Sequence, residues 1–137
     1  MIKRYSTKEM SNIWSDYNRF KTWEKVEIVV AEVMSDYGIV PKNSIQTIKK
    51  KTKFDVERIL EIEKITRHDV IAFLTNLSEN IGPESRYLHM GMTSSDLLDT
   101  SLALQCKQAG EIILEKLIKF KGVLRNNAVK YKETYQI

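Results

Sequence analysis

From Asp16 to Tyr37 the apolar residues Phe20, Trp23, Val26, Val30, Val33 and Tyr37 recur every three or four positions, the spacing that gathers side chains on one face of an α-helix. Gly38 can close that helix in a left-handed turn. Upstream, Ser6-Thr7-Lys8-Glu9 has the form of a capping box, with the serine hydroxyl and the glutamate serving the free amides of a short helix. Met10, Ile13 and Trp14 then share its predicted inner face. Downstream, Pro41 suits the first turn of a helix with Ile45 and Ile48 on one side, ending near Lys51. Asp55 is positioned to cap a helix through Val56, Ile59, Leu60 and Ile62. Thr66-Arg67-His68-Asp69 breaks the apolar pattern, which resumes with Val70, Phe73, Leu74, Leu77 and Ile81 and stops at Gly82-Pro83, since proline disfavours helical geometry in the residue before it.

Glu84 to Ser95 has no helical period and reads as a loop entering a helix N-terminus. From Asp96 the pattern Leu98, Leu102, Ala109, Ile112, Ile113, Leu117, Phe120, Leu124 continues to about Tyr131. A helix of ~35 residues extends ~50 Å, which calls for long neighbouring helices. The β-branched run Ile28-Val29-Val30 lies inside a helical pattern without flanking turn residues, so it is not read as a strand. The fold class is therefore all-α: a small N-terminal helical domain over residues 1–92, then the start of a long-helix bundle over 93–137. The final residues, Glu133 to Ile137, carry no cap or polar tail, and the chain is expected to stop mid-architecture.

Composition narrows the field. In 137 residues, 42% are hydrophobic and 29% charged, with five glycines and two prolines, which excludes collagen-like and strongly disordered classes. A single cysteine, Cys106, excludes an internal disulfide and a Cys-rich zinc site and favours a reducing, cytoplasmic setting. No signal peptide is legible at the N-terminus, and no apolar run reaches the ~20 residues of a membrane span. The net charge of +4 hints at anionic ligands. Its densest run, Lys49-Lys50-Lys51 with Lys53, fits a solvated helix end better than a nucleic-acid patch, because no aromatic residues interleave it.

Three polar clusters sit at helix boundaries: Arg4-Tyr5, Thr66-Arg67-His68-Asp69 and Met92-Thr93-Ser94-Ser95-Asp96. A helix start offers free amides and a positive dipole end, and neighbouring hydroxyls complete an anion site. Arginine adds a planar fork that matches phosphate or carboxylate. Each cluster also has a plain structural reading: Thr93 to Asp96 as a helix cap, His68 as a capping or surface histidine, Arg4 as an ordinary terminal arginine, and His89 as a loop residue.

Taken together, Ile2 to Tyr5, Phe54-Asp55 with Arg58 to Glu63, Thr66 to Val70 with Ala72-Phe73, and His89 to Asp96 with Asp99-Thr100 resemble the bacterial adenylosuccinate lyases of the fumarase and aspartase superfamily. Order and spacing match from Met1 to about Gln108. The resemblance implies a homotetramer with a core of long helices, active sites where three subunits meet, and no metal or organic cofactor. It implies β-elimination of fumarate from adenylosuccinate and from the succinylated carboxamide ribotide SAICAR, with small-molecule substrates and neither nucleic acid nor membrane as partner.

By that resemblance Arg4 and Tyr5 match nucleotide-binding positions, Arg67, His68 and Asp69 a second substrate-contacting strip, and Thr93 and Ser94 the positions holding the succinyl part. His68 is an auxiliary donor whose tautomer Asp69 is expected to fix. The family's acid histidine and serine base belong to segments beyond Ile137, so this stretch is expected to bind and not to catalyse. Two rivals are kept: another lyase of the superfamily, such as argininosuccinate lyase, and a basic helical module binding RNA or a partner protein.

Overall fold

The computed structural model describes residues 2–135, so Met1, Gln136 and Ile137 lie outside the described residues. Among the described residues six α-helices follow one another: α1 (Lys8–Ile13), α2 (Asp16–Asp36), α3 (Lys42–Lys51), α4 (Val56–Thr66), α5 (Asp69–Ile81) and α6 (Ser94–Lys130), with short 3-10 turns at Lys3–Tyr5 and Pro83–Tyr87. No strand occurs among the described residues, and the all-α expectation holds.

Local chemistry sets most boundaries. Thr7, not Ser6, caps α1: its hydroxyl accepts from Met10 N–H at 3.3 Å, because the chain turns helical only at Lys8. Ser15 caps α2 by accepting from Asn18 N–H at 3.2 Å. Asp55 caps α4 through Arg58 N–H at 3.0 Å. Such caps contribute about 1 kcal/mol each. Gly38, at φ +75°, reverses the chain after α2, where a side chain would strain the backbone. Gly82, at φ +83°, ends α5 before Pro83.

The core gathers the inner faces of α2, α3, α4 and α5 with Leu88 and with Leu97 of α6. Phe20 and Phe73 stack with centroids 5.8 Å apart, and Trp23 sets its edge on Phe73 at 5.4 Å. All three are almost fully buried. The Arg19 guanidinium lies over the Phe20 ring at 4.6 Å. The helices α4 and α5 form an antiparallel hairpin, its open end tied by Arg58 to Glu79 at 2.7 Å. Two asparagines of α5 pin the incoming connection: Asp55 N–H donates to Asn76 Oδ1 at 2.9 Å, and Asn80 Nδ2 donates to the Lys53 carbonyl at 3.2 Å.

Several details of the expected pattern are corrected. The inner face of α2 runs through Phe20, Trp23, Glu27, Ala31 and Ser35, so Val33 and Tyr37 face outward. Trp14 is the C-cap of α1 and is exposed. The stretch read as pure loop contains the Pro83–Tyr87 turn, and α6 starts at Ser94, two residues before Asp96.

Helix α6 is two things in sequence. Its first half buries Leu97, Ser101, Gln105 and Ala109 at four-residue intervals, and Gln105 Nε2 donates to the Ile13 carbonyl at 2.8 Å, docking the α1–α2 corner. Every residue from Ile113 to Tyr135 is exposed. Ile113, Leu114, Leu117, Ile118, Phe120 and Leu124 form an exposed apolar stripe. At ~1.5 Å per residue the helix extends ~55 Å.

Candidate functional site

Arg67 ends α4 in the left-handed region, φ 55°, with its N–H donating to the Glu63 carbonyl at 2.9 Å. The reversal is so tight that His68 at once caps α5. His68 Nδ1 accepts from Ile71 N–H at 3.3 Å, which requires a bare Nδ1 and leaves the proton on Nε2. Asp69 does not fix this tautomer as expected. Its Oδ1 takes the Val70 N–H at 2.7 Å and stands 3.6 Å from His68 Nδ1, beyond hydrogen-bonding distance. The helix amide is the stronger claimant because the ring lies over the free end of α5. Nε2–H is thereby turned into an available donor on a half-exposed ring. Arg67 itself is exposed, beside an open groove lined with Leu60, Glu63 and Lys64.

The second helix start is that of α6. Thr93 is its N-cap and forms a capping box with Asp96, whose carboxylate accepts from Thr93 N–H at 2.8 Å. Thr93 takes the Asp96 N–H in return, which leaves the amides of Ser94 and Ser95 at the helix start, the general feature that makes such starts anion sites. Thr93 and Ser95 are exposed and Ser94 is half-buried. Arg4 and Tyr5 lie in the first 3-10 turn, with the guanidinium 4.9 Å over the exposed Tyr5 ring. Within each cluster the residues are adjacent. Among the described residues no hydrogen bond or ion pair joins one cluster to another.

Sequence reasoning missed one group. Glu27, wholly buried on α2, places Oε1 2.7 Å from His89 Nδ1 and Oε2 2.7 Å from His89 N–H. Burial pushes the Glu27 carboxyl above its ordinary value, and the bonds to His89 draw it part of the way back. A buried carboxylate without a partner is strongly destabilising, and removing one member of such a pair typically costs about 3–5 kcal/mol. His89 adopts φ 57°. Arg67 and His89 are the only non-glycine residues with positive φ among those described. Each such residue stores about 1–3 kcal/mol of strain, and strain of this kind gathers at functional sites. A glutamate among apolar α2 positions was the available signal, since a charge on a core face demands a partner.

The family model described as "Lyase" matches residues 3–137. The chain is 45% identical to the adenylosuccinate lyase of Bacillus subtilis (strain 168) over 134 residues, covering 98% of this chain and 31% of that protein. It is 47% identical to the adenylosuccinate lyase of a Synechocystis species over 137 residues, covering 100% of this chain and 32% of that protein. The chain thus spans about a third of the length of these curated relatives. Among solved structures it resembles a fumarate lyase from Mesorhizobium sp. BNC1, with a TM-score of 0.82 at 22% identity, covering 88% of this chain and 29% of that one. It also resembles β-carboxy-cis,cis-muconate cycloisomerase from Acinetobacter calcoaceticus, with a TM-score of 0.67 at 24% identity, covering 75% and 26%. These two likenesses concern the fold. With a family model matched from residue 3 to residue 137, and 45–47% identity to two adenylosuccinate lyases, the chain belongs to the lyase family of the fumarase and aspartase superfamily.

Proposed function

We propose that this chain is the substrate-binding N-terminal part of an adenylosuccinate lyase. The observation that carries the reading is 45–47% identity to two such enzymes across essentially the whole chain. In the reaction a base removes a proton from a succinyl carbon, the bond from the neighbouring carbon to the purine nitrogen breaks, and an acid protonates that nitrogen. Adenylosuccinate gives AMP and fumarate, and SAICAR gives the corresponding carboxamide ribotide and fumarate.

The roles divide by chemistry. Arg4 with Tyr5 binds the nucleotide phosphate, a guanidinium and a phenol hydroxyl both being donors. Arg67, His68 and Asp69 form the second strip, in which His68 Nε2–H donates to a substrate oxygen. Thr93 and Ser94 hold the succinyl carboxylate, where hydroxyls and first-turn amides favour charge gained in the transition state. Residues 1–92 act as the small domain and 93–137 open the bundle. The exposed stripe on α6 supports a homotetramer in which long helices from other subunits bring the separate clusters into one site. The cytoplasm is the proposed location; among the described residues no helix is long and apolar enough to cross a membrane.

The decisive experiment follows loss of adenylosuccinate absorbance. Residues 1–137 alone should show no turnover, and turnover should appear on mixing with the remaining segment of the Bacillus subtilis relative. Activity of residues 1–137 alone, or none in a mixture that assembles, would overturn the proposal.

A further inference from the structure

We propose that Glu27 is a positioning residue for the helix start at Thr93–Ser94, acting through His89; this rests on the reading of Thr93 and Ser94 as substrate-binding residues. Glu27 makes two bonds of 2.7 Å, both to one residue 62 positions away, and exposes none of its side chain. One bond takes the backbone N–H and the other the ring nitrogen, so the main chain and the side chain of His89 are fixed together. A carboxylate accepts from Nδ1 only if Nδ1 carries the proton. The ring is thereby held with Nε2 bare, the opposite tautomer to that of His68.

The grip is transmitted because little slack follows it. Only three residues separate His89 from Thr93, and Met92 N–H folds back to the His89 carbonyl at 3.4 Å. Gly91, at φ +74°, lies against the same helix: a Cβ built there would sit 3.4 Å from Met34 Cε. Met34 is seven residues, about two turns, beyond Glu27 on α2. Two points of α2 therefore hold the 88–93 segment, and the Thr93 capping box hands that placement to α6. A buried carboxylate is a poor way merely to fill this space. Its two directed bonds do what an apolar side chain cannot, which is to hold a non-glycine residue at φ 57°.

Glu27→Gln separates positioning from packing. Glutamine keeps the shape and can accept the His89 N–H, but its amide donates to Nδ1 and so inverts the tautomer. Long-range proton–nitrogen NMR on residues 1–137 should find Nδ1–H at His89 in the natural chain and Nε2–H in the variant. Amide exchange at residues 88–96 should quicken about tenfold or more in the variant, with α4 and α5 unchanged. Nε2–H in the natural chain, or uniformly faster exchange in the variant, overturns the proposal. If Glu27→Gln fails to fold, the natural chain's tautomer decides: Nδ1–H supports the proposal and Nε2–H overturns it.

In a lyase completed with the remaining segment of the Bacillus subtilis relative, Glu27→Gln should lower kcat about tenfold with KM within threefold. Unchanged kcat beside a crippled Ser94→Ala overturns the proposal. A reduced kcat beside an inert Ser94→Ala overturns instead the reading of Thr93 and Ser94.

Discussion

Arg67 and Ser94 pose the same question at the scale of one residue, whether a side chain serves the fold or the reaction, and they answer it by different substitutions. Arg67 is strained at φ 55°, so Arg67→Gly should raise stability by about 1 kcal/mol. Thermal unfolding should show a gain of a few degrees for a domain of this size. The same change removes the guanidinium and should depress turnover of the completed enzyme. A residue that costs stability where it stands and is needed for activity is placed by function. Ser94 follows the cap instead of being it, so Ser94→Ala should leave melting nearly unchanged and lower kcat about 10²-fold. A lowered melting temperature with intact turnover would show that the hydroxyl serves only the helix. His68→Asn keeps a side-chain acceptor for Ile71 N–H while losing the Nε2 donor. Its melting should shift by less than about 1 kcal/mol equivalent, with kcat reduced.

Glu27 adds a dependence on pH at this scale. Its carboxyl is raised above 4.5 in the folded chain, so the native state holds the proton more tightly than the unfolded state does. The stability it contributes is full below pH 4.5 and is lost as pH rises through the elevated folded value. Denaturant titrations across that window should show this fall, and Glu27→Gln should remove it.

At the scale of elements, most of the fold was legible because the information is local. Asp55 and the Thr93–Asp96 pair set boundaries through bonds to a residue three positions away, and Gly38 and Pro83 set theirs through their own backbone geometry. What escaped depends on distant partners. Val33 and Tyr37 continue the apolar period of α2, yet the neighbours cover the turns marked by Glu27, Ala31 and Ser35. His89 looked like an ordinary loop residue because its partner stands 62 positions earlier. The candidate residues at helix starts were readable as polar clusters, but the tautomer of His68 depends on which neighbour is nearer, Ile71 N–H or Asp69, and composition does not say. Packing at this scale is testable through Phe73, which stacks on Phe20 and meets the edge of Trp23. Phe73→Ala should cost about 3–5 kcal/mol, a large part of a small domain's stability, read as a shift in denaturant midpoint.

Across the whole molecule, α6 dominates. Its stripe from Ile113 to Leu124 is the kind of contiguous apolar patch that marks an interface. Sedimentation should show residues 1–137 associating with rising concentration, and Leu117→Lys with Leu124→Lys should return them to monomer without loss of helicity. A strict monomer at high concentration would contradict this.

Because α6 is one unbroken helix from Ser94 to Lys130, it also acts as a phase gauge. The azimuth of its distal stripe is set, residue by residue, by the azimuth of the helix start that holds Thr93 and Ser94. Inserting one alanine after Ile112 would turn the stripe by about 100° and advance it by about 1.5 Å relative to that start. The partner surfaces would then meet either a polar flank or a displaced site. Inserting seven would return the stripe to within about 20° of its original direction. Assembly and turnover should therefore fail with one added residue and recover in part with seven, a periodic response that a flexible tether between the two functions would not give.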